Sequence, residues 1–82
     1  MTINEAKEIM EKEKLKRFNW FDEHPLRDNE VGIKVDGNEW IVYVTDERAS
    51  IVSGSNTYFN NESEALENFI KRLRTEKILF NN

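Results

Sequence analysis

Val31-Gly32-Ile33-Lys34-Val35-Asp36-Gly37-Asn38-Glu39-Trp40-Ile41-Val42-Tyr43-Val44 is the stretch that decides the fold. Val31, Ile33 and Val35 alternate with Gly32, Lys34 and Asp36. Trp40, Val42 and Val44 alternate with Ile41 and Tyr43 on the way back. A period of two is the signature of a strand with one buried face. Between the two runs, either Asp36-Gly37 or Gly37-Asn38 makes a two-residue hairpin turn. The first turn sets Ile33 opposite Trp40; the second sets Val35 opposite Trp40 and Ile33 opposite Val42. Both place Val31, Ile33, Val35, Trp40, Val42 and Val44 on one face, because a shift of two residues preserves the side of the sheet. That face is expected to be the core. Ile41 and Tyr43 then point to the other, open face, near Gly32 and Lys34.

Working toward the C-terminus, Thr45-Asp46-Glu47-Arg48-Ala49 reads as a turn and Ser50–Ser53 as a third hairpin strand, with Ile51 or Val52 inward. Residues 54–57 are loop-like, and Tyr58-Phe59 leads into Asn60-Asn61, an N-cap with Glu64 three residues after Asn61. The final helix is expected over about residues 62–79, with Ala65, Leu66, Phe69, Ile70 and Leu73 at helical spacing. Toward the N-terminus, Glu23–Glu30 is a polar loop and Asn19–Asp22 a short aromatic strand ended by His24-Pro25. Before it, Thr2-x-x-Glu5 is a capping box opening a helix that is expected to reach Phe18. The reading is one α+β domain over residues 1–82: an N-terminal helix, a three- to four-stranded antiparallel meander and a C-terminal helix. Both helices cover one face of the sheet and the other face is left wet.

Composition bounds the function. Nine aromatic residues in 82 supply a core that the 34% of charged residues would otherwise argue against. There is no cysteine, hence no disulfide framework and no thiolate nucleophile. The first residues lack the basic and apolar regions of a signal peptide, and the longest apolar run is Ile41–Val44, so a cytoplasmic protein without a membrane span is expected. The net charge of −4 is unevenly spread: residues 22–64 hold ten acids against three bases. An acidic middle of this kind points to a basic partner.

The residues that could carry chemistry are few. His24 is the single histidine, beside Asp22 and Glu23, with no serine or second histidine at motif spacing. It reads as a solvated or hydrogen-bonded loop residue. Asp22, Glu23, Asp28 and Glu30 lack the glycine and terminal glutamate of a calcium loop. No catalytic residue, metal site or cofactor is therefore assigned. A helix–strands–helix order also occurs in double-stranded-RNA-binding modules, which keeps a small nucleic-acid-binding module or an otherwise uncharacterised protein-interaction domain as alternatives. Against nucleic acid, the last helix opens with Glu62 and Glu64, where such modules meet phosphate with bases. The candidate contact set is Asp22, Glu23, Asp28, Glu30, Asp46 and Glu47, which steer and pair with basic groups, around Ile41 and Tyr43 as anchors on the open face.

Three stretches taken together carry a family resemblance. They are Phe21-Asp22-Glu23-His24-Pro25-Leu26 with Asp28-Asn29-Glu30-Val31-Gly32; Trp40-x-Val42-Tyr43-x-Thr45-Asp46-Glu47-Arg48; and Phe59 followed by Glu64-Ala65-Leu66-x-x-Phe69-Ile70-x-x-Leu73. Over residues 18–74 the chain resembles small immunity proteins of bacterial polymorphic toxin systems. The resemblance implies a cytosolic protein without catalytic residues, whose partner is a cognate protein toxin. The acidic middle suggests a basic, nuclease-type toxin, since it mimics nucleic-acid charge.

Overall fold

A computed structural model describes residues 1–80 and resolves six elements: α1 (Ile3–Lys12), β1 (Phe18–Trp20), β2 (Val31–Asp36), β3 (Glu39–Val44), β4 (Thr57–Phe59) and α2 (Glu62–Phe80). The hairpin pairs Val35 with Trp40 and Ile33 with Val42, so the turn residues are Gly37-Asn38. Gly37 takes φ +63 at the first central position, as a type II′ turn requires.

The first helix starts where its capping box sits. The Glu5 amide donates to Thr2 Oγ1 at 3.1 Å and the Thr2 amide to Glu5 Oε1 at 2.8 Å. It stops five or six residues before the expected end at Phe18. Lys14 adopts φ +53; its amide donates to the Glu11 carbonyl and the Leu15 amide to the Met10 carbonyl. Those two bonds are a Schellman cap, and Met10 and Leu15, which accompany it, are both buried. A lysine occupies the position usually marked by glycine, so the stop carries no sequence signal.

The expected antiparallel meander is corrected at its first strand. The sheet order is β1-β2-β3-β4, but β1 runs parallel to β2, with Phe18 opposite Val31 and Trp20 opposite Ile33. Residues 21–30 are therefore a crossover and not a hairpin loop. Phe21, Asp22 and Asn29 turn the chain with φ of 50, 55 and 49. Ten residues reach roughly 33 Å when extended, ample to return along so short a strand. The expected third hairpin strand at Ser50–Ser53 shrinks to a single bridge, Thr45 to Ile51, and the edge strand is Thr57–Phe59 instead.

Both helices pack on the same face. Ala6, Met10 and Leu15 join Val31, Ile33 and Val42 from the sheet and Ala65, Leu66, Phe69, Ile70 and Leu73 from α2 in one core. Phe69 sits at its aromatic centre, edge-on to Phe18 at 6.4 Å and tilted against Trp20 at 5.7 Å. Trp40 and Val44 are only half-buried, and Val35 is half exposed, because their ends of the ladder lie at the margin of that core. At the outer rim, Arg74 grips the Glu13 carboxylate through Nε at 2.9 Å and Nη2 at 2.6 Å, and Lys77 Nζ donates to the Glu13 carbonyl. The end of α1 is thereby fastened to α2.

Candidate partner-binding site

The face expected to be wet is covered over part of its area, while Tyr58 at its edge stays exposed. Asn19, Gly32 and Tyr43 form one row across the outer side of β1, β2 and β3. Gly32 has no side chain, and the Tyr43 ring lies over it: a Cβ at position 32 would stand 2.1 Å from Tyr43 Cζ. The crossover covers the row. Asn19 Nδ2 donates to the His24 carbonyl at 2.9 Å and reaches Tyr43 Oη at 3.4 Å, while the His24 amide donates back to Asn19 Oδ1. Tyr43 is 1% exposed and Ile41 5%. Burial, with the nearby Asp22 carboxylate adding to it, raises the Tyr43 phenol pKa. The expectation that Ile41 and Tyr43 stand open on the surface is corrected by this burial; over Tyr43 the cover is the crossover that a parallel strand needs.

His24 is the bolt of that crossover. Nδ1 is 2.7 Å from the Pro25 carbonyl, and Nε2 is 3.1 Å from the Phe18 carbonyl and 3.6 Å from the Glu30 carboxylate. Both carbonyls are acceptors, and only the imidazolium donates from both nitrogens. The His24 pKa is accordingly raised, first by the Pro25 carbonyl and further by the Phe18 carbonyl and Glu30, against the opposing effect of burial. Glu30 is itself buried, and desolvation pushes its carboxyl pKa up. Glu30 thus belongs to the interior and not to the contact surface. Among the described residues no three His, Asp or Glu side chains converge as a metal site would need.

The crossover is then stitched to the turn after β3. Thr45 Oγ1 donates to the Arg27 carbonyl at 2.6 Å and accepts from the Glu30 amide at 2.8 Å; the Thr45 amide donates to the Glu30 carbonyl and the Asn29 amide to the Asp46 carbonyl. The turn is braced internally by Asp46, whose Oδ1 accepts from the Arg48 and Ser50 amides, which lowers its pKa. Sequence reasoning missed Asn19 and Thr45. Asn19 alone left a trace, since asparagine is disfavoured within a strand.

Of the eight expected contact residues, the structure buries Glu30, Ile41 and Tyr43. It leaves Asp22, Glu23 and Asp28 exposed along the crossover, with exposed Glu47 and half-buried Asp46 in the turn tied to its end. Arg27 and Arg48, both exposed, are interspersed among these five acids. A family model described as Immunity protein 59 matches residues 2–82. No curated protein and no solved structure matches the chain.

Proposed function

Because the chain belongs to the immunity protein 59 family, we propose that it binds a cognate toxin domain in the bacterial cytoplasm and blocks it by occupation, through the acidic surface of Asp22, Glu23, Asp28, Asp46 and Glu47. The toxin is taken to be a basic, nuclease-type domain. The observation that supports this reading is the stitching of two acid-bearing loops at Thr45, which holds like charges together on a rigid base. Charges so held steer an oppositely charged partner and accelerate encounter. No catalysis by this chain enters the reading.

The test is capture of the toxin domain encoded beside the gene, carried as an inactivated variant. Reversal of Asp22, Glu23 and Asp28 to lysine is expected to slow association on the order of 10-fold and to flatten its salt dependence. Association of the unmodified chain that ignores salt would remove the electrostatic part of the proposal. A double-stranded-RNA-binding role finds no support at the start of α2, where Glu62 and Glu64 fill the first turn.

A further inference from the structure

The crossover is held to the rest of the molecule by polar groups. Residues 22–29 place no side chain in the core, which lies on the opposite face of the sheet. At the near end of the segment the Glu23 amide donates to the Trp20 carbonyl, Asn19 exchanges two bonds with the His24 backbone, and the His24 ring reaches the Phe18 carbonyl. At its far end the Arg27 carbonyl accepts from Thr45 Oγ1 and the Asn29 amide donates to the Asp46 carbonyl. Phe21 and Asp22 at the one end and Asn29 at the other hold left-handed φ, which costs most at the bulky Phe21. A segment with polar ties, no core side chain and strain at a hinge opens at a lower free energy than the fold as a whole.

One of these ties depends on a proton. His24 Nδ1 stands 2.7 Å from the Pro25 carbonyl and Nε2 3.1 Å from the Phe18 carbonyl, with the Glu30 carboxylate 3.6 Å from Nε2. The imidazolium donates to both carbonyls, a neutral ring to only one. Either neutral tautomer turns a lone pair onto an oxygen: Nε2 onto Phe18 and beside Glu30, or Nδ1 onto Pro25. The first breaks the tie of the ring to β1, and the second breaks the contact that aims the ring. The charged groups acting on the ring are Glu30, which favours the proton, and Arg27, which opposes it. Arg17 and Asp28 act in turn on Glu30. From β3 the Tyr43 hydroxyl joins the cluster through Asn19, and Asp22 acts on that phenol.

We propose that residues 22–29 form a proton-operated latch: the His24 imidazolium holds the segment down on β1, and its deprotonation lets the segment open on its two ends while the hairpin and both helices stay folded. Asp22, Glu23 and Asp28 ride on the segment, so the latch sets the pH range over which they are held beside Asp46 and Glu47. The device is a property of the free chain and stands whether or not these acids meet a toxin. The ring holds its proton more tightly in the closed segment than in the open one. Closure is therefore complete below the ordinary imidazole value of about 6.5 and weakens as pH rises through the closed-state value. A single proton limits the change to about 10-fold per pH unit.

Two measurements on the free chain test the latch. The first follows the His24 ring by NMR, which is unambiguous because the chain has one histidine. Titration above the ordinary imidazole value is expected, and titration at or below it overturns the proposal. The second compares hydrogen exchange at pH 6 and pH 8, each rate divided by that of the unfolded amide at the same pH. At pH 8 the Glu23, His24 and Asn29 amides are expected to be protected on the order of 10-fold less, or weaker still, than the amides paired between β2 and β3. Their protection is also expected to fall several-fold from pH 6 to pH 8. His24→Gln, which does not titrate, should show no such fall. Equal protection of crossover and hairpin amides would mean that the segment opens only with the whole fold, and overturns the latch. Crossover protection that ignores pH in the unmodified chain overturns its control by a proton. A fall that persists in His24→Gln takes that control away from His24 and overturns the proposal as well.

Discussion

Replacing Gly32 by alanine should be among the most damaging single-methyl changes available to this protein. Gly32 does not take a left-handed φ, so its backbone accepts any residue. The obstacle is the Tyr43 ring: the new Cβ would stand 2.1 Å from Cζ and 2.4 Å from Cε1 and Oη. Carbon atoms in contact sit about 3.5–4.0 Å apart, so the ring must retreat by about 1.5 Å. It has little room, being 1% exposed and held at its hydroxyl by Asn19. Overpacking costs about 1–3 kcal/mol, and complete expulsion of a buried aromatic ring about 3–5 kcal/mol. A loss of about 3 kcal/mol is expected, a large share of the roughly 4–12 kcal/mol that an 82-residue domain commands. Urea denaturation reads it as a fall in midpoint of about 1–3 M with unchanged slope. Tyr43→Phe keeps both clashing ring carbons and should give no rescue. In a Tyr43→Val background the space opens, and Gly32→Ala should become neutral or stabilise by about 0.4–1 kcal/mol through the unfolded chain. A harmless Gly32→Ala in the unmodified chain would refute the packing of the outer face, and with it the crossover.

Three further outcomes are expected. Lys14→Gly relieves a left-handed residue at the end of α1 and should raise stability by about 1 kcal/mol, read in the same denaturation assay; a decrease would mean that the cap is misassigned. Thr45→Val keeps shape but strips the Arg27 carbonyl and the Glu30 amide of their partner, so a loss of about 2–4 kcal/mol is expected, together with weaker toxin binding if the two loops act as one surface. The third concerns pH. The folded-state pKa of His24 is raised, so the stability it contributes is complete below the ordinary imidazole value of about 6.5 and is lost as pH rises through the higher folded value. The raised carboxyl of Glu30 acts in the same direction at lower pH. The urea midpoint should therefore drop between pH 6 and pH 8, and His24→Gln should abolish most of that drop; equal midpoints in the unmodified chain would exclude the doubly donating imidazolium.

The parts of the fold that could be read from sequence are those carried by periodicity. The face of the central hairpin, the stripe of α2 from Ala65 to Leu73 and both N-caps follow from spacing alone. What escaped was carried by backbone conformation without its usual residue. Lys14, Phe21 and Asp22 hold left-handed φ where glycine would have announced a turn. Without that signal, spacing alone carries the stripe of α1 on through Leu15 and Phe18 and places β1 in an antiparallel meander. The error at β1 propagated to the site. An antiparallel strand needs no crossover, so that expectation leaves Ile41 and Tyr43 facing solvent. Gly32, the row partner of Tyr43, holds the clue: a glycine amid β-branched residues marks the close approach of another group.

The acids of this protein divide by what the fold already asks of them. Glu5 and Asp46 hold backbone amides and Glu13 holds Arg74, and each has its pKa lowered by those bonds. Glu30 and Glu76 are buried, and desolvation raises theirs. Among the described residues, Asp22, Glu23, Asp28 and Glu47 form no ion pair, yet all four sit on the crossover and the turn that Asn19, His24 and Thr45 tie down. Holding unpaired like charges near one another costs stability through self-repulsion. Their surroundings are also unusually well anchored for loops, which reduces the ordering that a partner would have to impose on binding. On the proposed reading these acids serve encounter with a basic partner, and the bonds of Asn19, His24 and Thr45 are what would keep them in place for it.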